Sequence, residues 1–273
     1  MAEQRTIGLI AGNGIFPETF VRAARERGVR IVVAAFKGET KPELEGEVDV
    51  LRWFRVGQLV KMIKFFQAEG VSECVMMGQI SPNRLYDFRP DLRTITLLAK
   101  LKERNAESLF GGVADELGRE GITVLPSTTF LDDCLPASGP IYGPKLKGKG
   151  LEDAEFGMRI AKEVSRLDIG QSIVVREGTV LAVEAFEGTD KCVRRGGELG
   201  KGKNVKLVKV SKPNQDLRFD VPVVGPKTIH SCQEAGVSAI VIEAGKTLIL
   251  GGEEVRQLCE RHKISLHALE GGD

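Results

Sequence analysis

The sequence predicts an α/β protein with an N-terminal Rossmann-like parallel-sheet domain, residues 1–133, and a C-terminal mixed α/β domain, residues 134–273. Three observations carry this. Short β-branched runs alternate with helical-period segments through the first half, the pattern of βαβ units. A Pro- and Gly-rich stretch then interrupts the pattern, with Pro136, Pro140 and Pro144 among Gly139, Gly143, Gly148 and Gly150. Beyond it, strand and helix signals no longer alternate regularly.

The elements follow in order. Ile7 to Ala11 is a short apolar strand broken by Gly12-Asn13-Gly14. A helix over Pro17 to Arg27 tolerates its proline in the first turn, where no N–H partner is needed, and Gly28 ends it. Arg30 to Phe36 reads as a buried parallel strand and Val48 to Phe54 as a third. Val56, Leu59, Val60, Ile63 and Phe66 recur at helical spacing, with Gly70 as the stop. Strands at Cys74 to Met77 and Ile122 to Leu125 flank two helical segments between Leu92 and Leu117. In the second half, helices are expected at Asp153 to Leu167, Thr228 to Gly236 and Glu253 to Arg261. Strands are expected at Ser172 to Val175, Thr179 to Phe186, Val205 to Val210 and Ala239 to Glu243.

Composition narrows the function classes. With 39 basic against 38 acidic residues the net charge is +1, so general attraction to nucleic acid is not expected. Five cysteines, irregularly spaced and without C-x-x-C, read as free thiols in a reducing cytoplasm. The start shows no secretory pattern, and no apolar run approaches the roughly 18 residues of a membrane span, so a lipid substrate would be met from the water side.

Several segments could carry chemistry. Gly12, Asn13 and Gly14, between a strand and a helix, read equally as a phosphate cradle and as a tight turn. Pro17 stands where a third glycine would complete a dinucleotide fingerprint, and Phe36-Lys37-Gly38 lacks the acid that holds an NAD ribose. Gly78 and Gln79 follow a sheet strand, where open α/β sheets bind ligands, with Ser81 and Arg84 as further donors. Arg89, Asp91 and Arg93 read as a solvated face.

In an extended chain Asp216, Arg218 and Asp220 would point to one side. They would form either a site for a divalent metal and a phosphoryl oxygen or a structural ion pair on a half-exposed strand. Glu184 lies inside an apolar strand and needs a partner or a cation, with Glu187, Thr189 and Asp190 on the turn after it. Lys209, Lys212 and Gln215 precede the acidic segment and offer donors to phosphate. No G-x-S-x-G, P-loop or Cys/His nucleophile pattern is present, which leaves water as the expected nucleophile.

Taken in order, several of these motifs resemble the LpxI-type UDP-2,3-diacylglucosamine pyrophosphatases of lipid A biosynthesis. They are Gly8 to Gly14 with Pro17, Gly78-Gln79, Leu167 to Gln171, Val183 to Asp190, and Lys212 to Pro222, and the resemblance spans about residue 6 to about residue 268. It implies hydrolysis of UDP-2,3-diacylglucosamine to UMP and 2,3-diacylglucosamine 1-phosphate. It also implies magnesium dependence and a homodimer, cytoplasmic and peripheral at the inner membrane face. The family's R-x-D-[LV]-P motif is Arg218 to Pro222 here, so the essential acid falls on Asp220. Asp216 and Arg218 are expected beside it, with Asp190 and Glu187 as further metal ligands. Phe186 stands where an aliphatic residue is expected. The alternatives are a hydrolase of another nucleotide sugar or nucleotide lipid, and a non-catalytic nucleotide-binding regulator.

Overall fold

Apolar runs buried on both faces make the first sheet. A computed structural model describes residues 4–80, 90–101, 106–213 and 215–271. The chain divides into two units, one of Met1–Leu131 with Asp216–Asp220, the other of Asp132–Gln215 with Val221–Asp273.

In the first unit the strands are β1 (Thr6–Ala11), β2 (Arg30–Phe36), β3 (Val50–Phe54), β4 (Glu73–Met77) and β5 (Thr123–Val124). All neighbours pair in parallel, in the order β3-β2-β1-β4-β5. β1 and β2 are buried along almost their whole length, as strands covered on both faces must be. The helices are α1 (Phe16–Glu26), α2 (Leu59–Ala68), α3 (Leu92–Lys100) and α4 (Ala106–Arg119). α2 buries Leu59, Met62, Ile63, Phe65 and Phe66, so the helical spacing read from the sequence is its core-facing stripe. Strand order reverses between β1 and β4, which opens a crevice at their C-terminal ends.

The second unit holds β6 (Gly139–Tyr142), α5 (Lys149–Arg166), β7 (Ser172–Arg176), β8 (Thr179–Val183), α6 (Thr189–Leu199) and β9 (Val205–Lys209). It continues with β10 (Val223–Val224), α7 (Pro226–Glu234), β11 (Val237–Glu243), β12 (Leu248–Ile249), α8 (Gly252–His262) and β13 (Ser265–Leu269). Among the described residues its main sheet has six strands ordered β6-β13-β11-β9-β7-β8. The central β13, β11 and β9 are parallel, and the flanking pairings are antiparallel. Period-two alternation divides the side chains of β7: Ile173 and Val175 pack with Ala154 and Met158 of α5, whereas Val174 packs with Val193 of α6 and Ile229 of α7.

Three local readings are corrected. The Pro/Gly stretch contains β6, an edge strand that accommodates Pro140 because an edge needs no N–H from it. β8 ends at Val183, so Glu184 lies just past the strand rather than inside it. In the segment after it Glu187 does lie on a turn, closed by the Gly188 N–H to the Ala185 carbonyl at 3.3 Å, but Thr189 and Asp190 open α6. That helix is hidden in the sequence because its buried stripe is Cys192, Val193, Gly196 and Gly197. A Cβ on Gly196 would lie 2.5 Å from Val174, and one on Gly197 only 2.2 Å from the Ala235 carbonyl oxygen. Close packing, rather than an apolar stripe, selects those glycines.

Candidate functional site

At the crevice of the first unit, β1 and β4 run into each other's loops. Gly12 N–H donates to the Met77 carbonyl at 2.7 Å and Asn13 N–H to the Gln79 carbonyl at 2.8 Å. Asn13 and Gln79 thereby form an antiparallel bridge. A Cβ on Gly12 would sit 2.5 Å from the Gln79 oxygen, and one on Gly78 2.5 Å from the Asn13 oxygen, so glycine is required on both sides. The structure thus gathers Gly12, Asn13, Gly78 and Gln79, but it overturns the expectation that the Gly12 and Asn13 amides face a phosphate. Both are already donated within the protein. Gly14 faces open space.

The acid missing from the end of β2 stands three residues further on. Glu39 is buried, and its Oε2 accepts from Asn13 Nδ2 at 2.7 Å. The turn at Gly38 concealed it from a reading that stopped at the strand end. Asp91 caps α3 through the Thr94 N–H and also accepts from the Val60 N–H, while Arg93 pairs with Glu116 and Glu120. Ser81, Arg84 and Arg89 lie outside the described residues, as does Asn214.

Beside the crevice is an apolar cavity of about 110 Å³. Ile10 and Met76 from the sheet, Met62 of α2, Leu97 of α3 and Phe110 and Val113 of α4 form its walls, with Gly12 and Gly78 at its edge. Phe110 also packs against Phe219, ring centroids 5.9 Å apart and planes inclined by 37°. The cavity and the acidic segment are therefore connected through one aromatic pair of the first unit.

That segment is not extended. The Asp220 N–H donates to the Asp216 carbonyl at 2.9 Å, closing a single helical turn. The Asp216 carboxylate accepts from three Arg218 nitrogens, the backbone N–H at 3.0 Å, Nε at 3.0 and 3.1 Å and a terminal nitrogen at 2.6 Å. Arg218 beside it holds the Asp216 carboxyl below the usual carboxylate range. Asp216, Arg218 and Asp220 consequently do not share a strand face. Asp216 and Arg218 satisfy each other, whereas the half-buried Asp220 carboxylate has no hydrogen bond or ion pair among the described residues. Turn chemistry wins over strand geometry here because an Asp two residues before an N–H readily accepts from it.

The remaining residues belong to the second unit. Ser172 of β7 is in register with Lys209 of β9, and its carbonyl accepts from the Glu184 N–H at 2.8 Å. Thr189 Oγ1 donates to Glu184 Oε1 at 2.8 Å and lies 3.4 Å from the Ser172 hydroxyl, so Thr189 comes to the end of β7 that is in register with Lys209. Lys212 donates to Asp168 at 2.5 Å, and Gln215 Oε1 accepts from the Lys212 N–H at 2.9 Å. Glu184 Oε2, Gln171 Oε1 and Gln215 Nε2 are buried without a hydrogen-bond partner among the described residues. Gln171 ends the motif Leu167 to Gln171, to which the sequence alone assigned no site role.

A magnesium ion usually takes one or two protein carboxylates and completes its shell with phosphate oxygens and water. Asp220, half-buried and without a partner among the described residues, fits that demand. Asp190 and Glu187 do not fit as they stand. Asp190 accepts from Lys227 at 2.8 Å and Ser231 at 3.1 Å; burial pushes its carboxyl up, but these partners outweigh it and leave it below the ordinary value. Glu187 accepts from Arg195 at 2.5 Å and from the Ala185 N–H at 3.0 Å. Among the described residues no three His, Cys, Asp or Glu side chains converge as a metal-binding group. Burial pushes the Cys74 and Cys192 thiols up to about 12 and Cys259 to about 11, so these are poor nucleophiles.

Residues 6–134 match the family model of the LpxI N-terminal domain, and residues 137–267 that of the LpxI C-terminal domain. A protein of Caulobacter vibrioides named UDP-2,3-diacylglucosamine pyrophosphatase LpxI is 32% identical over 263 residues, covering 92% of each chain. Likeness to solved structures is slight. The biotin carboxylase subunit of pyruvate carboxylase aligns at 14% identity and a TM-score of 0.27, over 67% of this chain and 36% of that one, so the chain spans about a third of its length. The crystal structure of gox2253 aligns at 12% identity and a TM-score of 0.37, over 97% of this chain and 78% of that one.

Proposed function

The chain belongs to the LpxI family, and on that premise we propose that it hydrolyses the pyrophosphate bond of UDP-2,3-diacylglucosamine in lipid A biosynthesis. Water adds across the P–O–P linkage, giving UMP and 2,3-diacylglucosamine 1-phosphate. The observation that carries the reading is the pair Phe110–Phe219. It joins an apolar cavity, suited to a hydrocarbon chain, to the turn that presents Asp220.

Asp220 is the essential acid in this proposal, and its carboxylate, without a partner among the described residues, would hold magnesium against the diphosphate. When bound, the ion screens phosphate charge and lowers the barrier to attack on phosphorus. Arg218, kept rigid by Asp216, fixes the turn on which Asp220 stands. Lys209 and Lys212 offset negative charge on the substrate, while Thr189 and Gln215 supply polar groups. Gly12, Asn13, Gly14, Gly78 and Gln79 shape the crevice by permitting close backbone approach. Asp190 and Glu187 would need to release Lys227 and Arg195 before either joined a metal site.

No helix among the described residues is long and apolar enough to cross a membrane. We place the protein in the cytoplasm, as a homodimer peripheral at the inner membrane face. α3 supports the membrane contact: Leu97 lines the cavity, while Leu92 and Ile95 stand 84% and 51% exposed. A chain withdrawn from a bilayer would meet apolar surface on both sides of this helix.

Mass spectrometry of the protein incubated with Mg²⁺ and UDP-2,3-diacylglucosamine tests the proposal, with Asp220→Ala alongside. UMP and 2,3-diacylglucosamine 1-phosphate are expected from the wild type and neither from the variant. Cleavage of another nucleotide sugar but not of this lipid would refute the substrate, and full activity of Asp220→Ala would refute the role of the acid.

A further inference from the structure

We propose that Ser127 is a positioning residue for Asp220, tying the turn that carries the acid to the end of strand β4. This rests on the reading of Asp220 as the essential acid. Ser127 follows β5 and is 1% exposed. Its N–H donates to the Leu217 carbonyl at 2.7 Å. Its Oγ lies 2.8 Å from the Met76 carbonyl and 2.8 Å from the Arg218 carbonyl. A hydroxyl has one proton and these are both acceptors, so it donates to one at a time and holds the two together.

Met76 is the penultimate residue of β4, immediately before the Met77-Gly78-Gln79 crossing with β1. Arg218 is two residues before Asp220. One buried side chain therefore joins the crevice floor to the backbone of the acidic turn, and the sheet becomes the reference frame for Asp220. Phe219, packed on Phe110, holds the next residue. The carbonyl–hydroxyl contacts restrict how the turn rotates about that aromatic anchor. In reactions that depend on alignment, displacements of roughly 1 Å can cost on the order of 100-fold in rate.

Ser127 touches no reacting atom in this scheme, so its loss should appear in turnover rather than in binding. Two variants of the full-length protein test this: Ser127→Ala removes the hydroxyl, and Ser127→Cys keeps the volume with a weak donor. kcat, KM for UDP-2,3-diacylglucosamine and melting temperature are measured for each, beside Asp220→Ala. The expected result is a kcat lowered about 10- to 100-fold in both variants. KM should stay within about three-fold, and the Cys variant should melt near the wild type. Wild-type kcat in a folded Ser127→Cys, or a rise in KM without loss of kcat, overturns the inference. If Ser127→Ala does not fold, the Cys variant decides. An active Asp220→Ala removes the premise instead, whereas an inactive Asp220→Ala beside a fully active Ser127→Cys defeats only the role of Ser127.

Discussion

Asp220 donates its N–H to the carbonyl oxygen of Asp216 at 2.9 Å, so the two acids the sequence places on one face of an extended strand instead close a helical turn. Their side chains are thereby given different tasks. One carboxylate is consumed by Arg218, and the other has no partner among the described residues. The turn belongs to the first unit although its residues lie late in the chain.

Asp216 and Asp220 should accordingly fail in different ways. Asp220→Ala removes a carboxylate with no partner among the described residues, so activity is lost while the melting temperature stays within a degree or two of wild type. Asp216→Ala strips Arg218 of its acceptor and loosens the turn. It should lower kcat roughly ten-fold and stability by about 1 kcal/mol, the worth of a typical cap-like hydrogen bond. Paired thermal melts and turnover assays on the two variants separate these patterns. A large stability loss in Asp220→Ala would show that its carboxylate has a structural partner.

The crossing of β1 and β4 predicts an asymmetry among glycines. At Gly78, φ is +87° and an added Cβ would meet the Asn13 oxygen at 2.5 Å. At Gly14, φ is +93° but nothing lies within 4 Å. Gly14→Ala should therefore destabilise by about 1 kcal/mol through backbone conformation alone, and Gly78→Ala by more than about 2 kcal/mol because a steric clash is added. Urea denaturation of both variants measures the difference, and equal losses would contradict the packing argument.

These cases show which parts of the structure were legible in the sequence. The parallel sheet of the first unit was, because β1 and β2 are uninterrupted apolar runs and α2 carries a wide apolar stripe. α6 was not, because small residues packed against Val174 and the Ala235 carbonyl leave no hydrophobic period to detect. The motif from Lys212 to Pro222 was visible as a cluster of charge, but its shape was not. A period-two argument assumes extended backbone, and Asp216 supplies a local acceptor that bends it. Ser127 is silent in sequence because its partners are carbonyls of Met76, Leu217 and Arg218, and main-chain acceptors carry no residue signature.

A buried acid at the end of β11 gives a pH prediction. Glu243 is fully buried and accepts from Lys162 at 3.0 Å, from Lys246 at 2.8 Å, and from both the N–H and the hydroxyl of Ser211 at 2.9 Å. Burial pushes its carboxyl up, but these donors outweigh it and hold it below its ordinary value. A depressed folded-state pKa contributes stability above the unfolded value of about 4.3, lost as pH falls through the folded value. Glu243→Gln should thus flatten the acid side of the stability curve relative to wild type. Glu243→Ala, which leaves Lys162 without its carboxylate, should cost about 3 kcal/mol near pH 7. Denaturation at several pH values checks both, and an unchanged acid limb in Glu243→Gln would contradict the linkage.

If α3 is the membrane-facing element, its exposed residues control lipid contact without touching the chemistry. Replacing Leu92 and Ile95 together by Glu should reduce sedimentation with anionic lipid vesicles several-fold. Turnover of a short-chain, micelle-free substrate should stay within about two-fold, since neither side chain is placed in the cavity wall. Unchanged vesicle binding would move the membrane contact to another face.

The cavity beside Phe110 predicts how activity depends on the acyl chains. Its walls are aliphatic and aromatic, and burying a methylene group stabilises by about 0.8 kcal/mol, close to a four-fold change in affinity. Shortening the chains of UDP-2,3-diacylglucosamine two carbons at a time should raise KM roughly ten-fold or more per step for the chain that enters the cavity. kcat should change little, because the hydrocarbon is bound equally before and during attack on phosphorus. A Val113→Phe variant, which fills part of the space, should shift the preferred chain toward shorter lengths. Steady-state kinetics across a chain-length series with both proteins tests this, and a KM independent of chain length in each would show that the cavity does not receive the lipid.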